Sequence, residues 1–169
     1  KVEAFNDAGY SPQSSPSNSV TPYGIPAAPT VTNVATAGSQ TVQLTWTVPT
    51  SIGTAITDYD IEYSPDSSFA AGSGTFVENG TSIAVTQTVS ALTNGTTYYF
   101  RVRASNVAGD GPWSATSVGV YPYTTPDAPI LTALARAASH TIKATFTDGT
   151  SNGGSTILDY DVEYSTTAG

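Results

Sequence analysis

The chain has 169 residues, 38% of them hydrophobic and only 11% charged, with a formal net charge of −8 at pH 7. That is too long for one β-sandwich of roughly 100 residues and too short for two. Five scattered Lys and Arg cannot build the cationic surface that phosphate demands, and no apolar run nears the ~20 residues of a membrane helix, so neither nucleic acid nor membrane insertion is expected.

Along the chain, Val2-x-Ala4-x-Asn6-x-x-Gly9 alternates and then turns. Thr41 to Thr47 alternates strictly, which sets Val42, Leu44 and Trp46 on a buried face. Tyr59, Ile61 and Tyr63 then point one way, and Asp58, Asp60 and Glu62 the other. Phe76-Val77 reads as a short edge strand, and Ile83 and Val85 alternate ahead of a segment ending at Leu92. Tyr98, Phe100, Val102 and Ala104 line a further inner face, and Val118 and Val120 are expected to supply the last strand. Turn-forming Gly, Asn, Asp and Pro separate these segments. No ten-residue stretch carries a 3.6-residue period, so the fold is expected to be all-β.

The alternation repeats. Residues 1–29 lie over residues 101–129 without a gap, with matches that include Asn6/Asn106, Gly9/Gly109, Pro22/Pro122, Tyr23/Tyr123 and Pro26/Pro126. The register continues through Trp46/Phe146 and Gly53/Gly153; one residue is then gained in a loop, and Tyr59 to Tyr63 lies over Tyr160 to Tyr164. The period of about 100 residues is one sandwich long. The chain therefore divides into residues 1–23, the last two strands of one unit; residues 24–124, a complete unit; and residues 125–169, the first three strands of another. A half-sandwich cannot bury its inner face, so the array is expected to continue on both sides or to be completed by neighbouring molecules.

Pro26-x-x-Pro29, Trp46, Tyr59-x-Ile61-x-Tyr63 and the run from Leu92 through Tyr98 and Val102 to Asn106, Gly109 and Gly111 together resemble the signature of fibronectin type III domains. The resemblance covers essentially the whole chain and implies tandem immunoglobulin-like sandwiches. It implies that Tyr98 is a tyrosine corner, its hydroxyl returning to backbone near Leu92, and that Trp46 is the buried core aromatic. Tyr59 and Tyr63 take structural places in the same core, as do Phe146 and Tyr160 in the following unit. Phe146 replaces the larger Trp46, and Ala144 replaces Leu44, so that second core is expected to pack differently.

Several residues invite a functional reading. Asp58, Asp60 and Glu62 form a carboxylate stripe that suits either weak Ca²⁺ binding or cross-strand pairing with Arg101 and Arg103, and pairing is preferred. Ala108-Gly109-Asp110 sits where some members of the family carry an Arg-Gly-Asp tripeptide, but Ala replaces the Arg, which leaves Asp110 a weak binding candidate. Trp113 is the best exposed-aromatic candidate, since a ring near a loop can stack on a sugar or a partner, but the plainer reading, packing over the loop base, is preferred. His140 is the single histidine and the chain has no Cys, so a zinc site or a catalytic triad lacks its parts. No cofactor, metal or catalysis is expected. Asn79-Gly-Thr81 and Asn94-Gly-Thr96 match the N-glycosylation pattern, though ordinary turns explain both.

Zero Cys, zero Met and an acidic Ser/Thr-rich composition suit a secreted bacterial or viral surface protein stabilised by packing. No signal peptide is visible, and Lys1 already lies in a strand-like pattern, so the natural N-terminus is expected upstream. The expected role is a non-catalytic extracellular structural or adhesive segment of a surface or filament-forming protein. Its expected partners are adjacent repeats of the same protein, other copies of itself in an assembly, or surface glycans. Two alternatives are a spacer of a secreted polysaccharide-degrading enzyme and a glycan-contacting part of a phage virion protein.

Overall fold

The computed structural model describes residues 1–70, 72–77 and 80–166. The strands are β1 (Phe5–Asn6), β2 (Gly9–Tyr10), β3 (Val31–Gly38), β4 (Thr41–Trp46), β5 (Asp58–Ser64), β6 (Thr75–Phe76), β7 (Thr86–Val89), β8 (Tyr99–Asn106), β9 (Gly109–Asp110), β10 (Ile130–Ala138) and β11 (Thr141–Thr147). Two sheets form the central sandwich, a three-stranded β3-β4-β7 and a four-stranded β6-β5-β8-β9, and separate hairpins β1-β2 and β10-β11 flank it.

The core follows from alternation. Every second residue of β4 (Val42, Leu44, Trp46) and of β8 (Phe100, Val102, Ala104) is buried, and these meet Tyr59 and Ile61 of β5, Val89 of β7 and Leu92. Trp46 and Tyr59 meet edge-on, their ring centroids 5.4 Å apart. Tyr63 packs edge-on against Tyr98 at 5.6 Å. The Tyr98 hydroxyl accepts the Thr93 N–H at 3.3 Å, one residue past the Leu92 that the tyrosine corner implies.

The period of the sequence is also a period of backbone geometry. The β3-β4 pairing slips between Val31 and Asn33 and between Thr36 and Gly38, and the β10-β11 pairing slips at Leu131/Ala133 and Arg136/Ala138. At the β3-β4 turn Gln40 takes φ 58°, and at the β10-β11 turn His140 takes φ 62°. In β1-β2, Asn6 Oδ1 accepts the Ala8 N–H at 2.9 Å; at the β8-β9 turn, Asn106 Oδ1 accepts the Ala108 N–H at 2.8 Å.

Three strand expectations need correction. Ile83 is 69% exposed and lies outside β7, which is centred further along at Thr86–Val89. Residues 160–164 of the following unit form no strand, and Tyr164 is 93% exposed. The reason is pairing: the matching β5 is held along its length by β8, and residues 160–164 have no such neighbour. Within residues 1–23, only the tip hairpin β1-β2 is regular strand.

The third correction concerns the expected last strand at Val118 and Val120. Past β9 the chain pairs with β8 at every third residue. The N–H groups of Gly111, Ser114, Ser117 and Val120 reach the carbonyls of Ala104, Val102, Phe100 and Tyr98 at 2.8, 2.8, 2.9 and 3.0 Å. Three residues advance for every two of β8, so ordinary carbonyl acceptors fall out of step. Serine hydroxyls fill in: Val102 N–H donates to Ser114 Oγ at 3.1 Å and Phe100 N–H to Ser117 Oγ at 3.0 Å. Those hydroxyls donate onward to the carbonyls of Ala115 and Val118. Ser11 and Ser14 do the same for Ala4 and Val2. Replacing Ser114 with Ala strands the buried Val102 N–H, so Ser114→Ala is expected to lower unfolding free energy by about 1–3 kcal/mol. Urea denaturation checks this, with the exposed Ser15→Ala as a reference of near-zero effect.

Candidate functional site

The outer face of β5-β8 gathers the charges. Cross-strand register sets Asp60 opposite Arg103 and Glu62 opposite Arg101, because both strands send every second side chain outward. Arg101 Nε donates to Glu62 Oε2 at 2.6 Å and Arg103 Nε to Asp60 Oδ2 at 2.8 Å. Arg103 Nη2 also reaches Asp110 Oδ2 at 2.8 Å, and Ser105 donates to the other Asp110 oxygen at 2.7 Å. Asp58 turns to backbone instead, where Oδ1 accepts the N–H groups of Tyr59 and Ser82 at 2.8 Å each. Pairing, rather than a cluster aimed at a cation, occupies the stripe.

Aromatic rings complete this face. The Arg101 guanidinium lies 4.3 Å from the Phe69 ring centre and 4.8 Å from that of Trp113, and Arg103 lies 4.8 Å from Trp113. Phe76 approaches the same indole at 6.0 Å. Trp113 is thus half-buried and interleaved with two cations, which favours packing over the sheet against a ring free to stack. The sequence reading missed Phe69, which is buried at a positive φ of 50°. The turn that flips it inward is held by Asp66, which accepts from the Ser68 N–H and hydroxyl and whose carboxyl those bonds hold below its ordinary pKa. Asp-Ser-Ser ahead of an aromatic was the available signal. Gly74 is a further hidden requirement, since a Cβ there would collide with the Glu62 carboxylate.

The second concentration of interactions lies at the joins between repeats. Gly24 N–H donates to Ile52 O at 3.1 Å and Ala27 N–H to Thr50 O at 2.9 Å; at the next join Thr124 N–H donates to Gly153 O and Asp127 N–H to Ser151 O, both at 2.9 Å. Pro26 and Pro122 are fully buried. Gly53 and Gly153 sit at φ 72° and 71°, and a Cβ on either would strike the carbonyl oxygen of Pro22 or Thr124. Asn106 Nδ2 adds bonds to Gly24 O at 2.8 Å and Ser51 Oγ at 3.0 Å.

The remaining residues have local roles. Phe146 and Tyr160 pack as a tilted pair with ring centres 4.9 Å apart in the following unit, where the Tyr160 hydroxyl donates to Asp148 and its pKa is raised by that bond. Burial raises the pKa of Tyr59. His140 Nδ1 pairs with Ser139 Oγ at 2.8 Å. Asn94 spends its side chain on Gln40 N–H and Ser39 Oγ, so it acts as a turn clamp. The other glycosylation pattern begins at Asn79, outside the described residues. Among the described residues no group of three His, Cys, Asp or Glu is arranged to hold a metal ion.

If the ion pairs differ as their burial indicates, double-mutant cycles will separate them. The Asp60–Arg103 pair, about a third exposed at the carboxylate, is expected to couple by roughly 0.2–1 kcal/mol. The Glu62–Arg101 pair, with Glu62 side chain 10% exposed, is expected to couple more strongly, because removing Arg101 leaves the Glu62 carboxylate buried without its partner. Equal couplings in urea unfolding would contradict this.

The family model for the fibronectin type III domain matches residues 27–120. Human fibronectin type-III domain-containing protein 3A is 30% identical over 126 residues, covering 75% of this chain and 10% of that protein. Human cardiac-type myosin-binding protein C is 37% identical over 114 residues, covering 66% of this chain and 9% of that protein. The chain thus spans a tenth or less of the curated relatives it matches. Among solved structures, titin kinase and its flanking domains is 31% identical with a TM-score of 0.48, covering 59% of this chain and 17% of that one. The sixth fibronectin type III domain of the human domain-containing protein 3 is 29% identical with a TM-score of 0.45, covering 66% and 97%. Members of the family serve as generally non-catalytic modules, found in structural proteins. The chain belongs to the fibronectin type III domain family.

Proposed function

We propose that this chain is a non-catalytic spacer segment of an extracellular surface or filament-forming protein, in which sandwich repeats are stacked at short, stiff joins. The observation that carries this reading is the repeated bracing of the two linkers. At both joins a linker N–H donates to the loop of the following repeat and a positive-φ glycine presses on a carbonyl of the linker stretch. Linkers held this way restrict the angle between repeats and transmit length. In this reading the repeats divide at 23/24 and 124/125. The acidic, cysteine-free composition supports a secreted bacterial or phage-borne setting.

A glycan-contacting role has less support, since the indole of Trp113 is already engaged by Arg101 and Arg103. Assembly by strand addition along the β8 side is also disfavoured. The three-residue step of residues 111–120 leaves no regular row of N–H and C=O groups for an incoming strand.

Electron microscopy of the full-length protein tests the proposal. The expected image is an extended, evenly beaded particle at the cell surface or in the secreted fraction. Freely jointed beads, or a purely intracellular location, would rule it out.

A further inference from the structure

We propose that the Asn94-Gly95 turn of the complete repeat and the Gly153-Gly154 loop of the following one form an interdomain latch, a backbone-to-backbone contact that fixes the angle at their join. The partner surface is the next repeat of the same chain, so the inference deepens the reading above and rests on it.

Four observations converge. The contact is made mainly by backbone: a Cβ on Gly154 would lie 2.5 Å from Gly95 N and 2.9 Å from Asn94 Cβ, and one on Gly95 would lie 3.1 Å from Gly154 Cα. Both glycines hold left-handed conformations, φ 78° at Gly95 and 87° at Gly154, which β-carbon-bearing residues adopt at a cost. Each loop is braced from behind. Asn94 Oδ1 accepts the Gln40 N–H at 2.7 Å, and its Nδ2 donates to Ser39 Oγ at 3.1 Å. Across the contact, Gly153 N–H donates to Ser151 Oγ and Gly154 N–H to Asn152 Oδ1, each at 3.0 Å. Finally, the linker is gripped from both sides: Gly95 N–H donates to Pro122 O and Thr124 N–H to Gly153 O, both at 2.9 Å.

The loop that makes the contact, residues 151–159, is one residue longer than its counterpart 51–58 and carries Gly153-Gly154 where the counterpart has the single Gly53.

The test uses the full chain, whose lack of cysteine allows spin labels at Thr88→Cys in β7 and Lys143→Cys in β11. Double electron–electron resonance should give a single narrow distance distribution. Gly154→Ala should shift and broaden it, and deletion of Gly154, which restores the loop length that the complete repeat folds with, should broaden it without unfolding. Gly80→Ala, at a positive-φ glycine with nothing within 4 Å, should leave it unchanged. A broad distribution in the parent chain, or no response to either change at Gly154, overturns the latch. Freely jointed particles by microscopy combined with a narrow label distribution would overturn the array reading while leaving the latch intact.

Discussion

The pairing of β5 with β8 is the constraint on which the rest of the sandwich depends. Seven consecutive pairs from Asp58↔Ser105 to Ser64↔Tyr99 fix which residues face the core and which face water. A slip of β5 by one residue against β8 would turn Ile61 outward and bury Asp60. The inner face supplies most of the driving force by burying Tyr59, Ile61, Phe100, Val102 and Ala104. The outer face reinforces the same register by opposing unlike charges. Phe69 and Trp113 then lie against the Arg101 guanidinium, so a charge that specifies register is also partly shielded from water. Residues 160–164, which carry nearly the same sequence as β5 but lie beside no β8-like strand among the described residues, form no strand. Strand identity here comes from the neighbour more than from propensity.

Much of the core was legible because period-2 alternation is a strong signal when a face is fully buried. Val42, Leu44 and Trp46 and the outward carboxylates of β5 follow from it, while the tyrosine corner at Tyr98 followed from the family resemblance. Three things were hidden for separate physical reasons. The three-residue pairing of residues 111–120 cannot be found by a template that assumes strand meets strand. Its signal is serine at a spacing of three, in both Ser11/Ser14 and Ser114/Ser117. The burial of Phe69 depends on an Asx-type turn at Asp66 that aims a loop residue onto the sheet. The role of Trp113 depends on tertiary neighbours, since an aromatic beside a turn looks the same whether it is free or interleaved. The sequence comparison did locate the extra loop residue after Gly153, but not its use, because its partner Gly95 lies about 60 residues away in another repeat.

That separation bears on how repeat proteins vary. Within one repeat, a substitution is judged by the sandwich it belongs to; at the joins it is judged by two repeats at once. The core positions compared across the period change conservatively in character, as Trp46 and Phe146 do. The outer face changes freely: Arg103 corresponds to Glu3, Asp110 to Tyr10 and Trp113 to Gln13, so the cation–aromatic arrangement is a property of one repeat and cannot be what stacking requires. What recurs at both joins is the pair of linker hydrogen bonds and the positive-φ glycine at 53 and 153. A feature needed by every repeat should persist in every repeat, and by that criterion the common element is the join. At the second join Gly154 sets the same loop against the Asn94-Gly95 turn, so a join can be stiffened through loop backbone without altering any core.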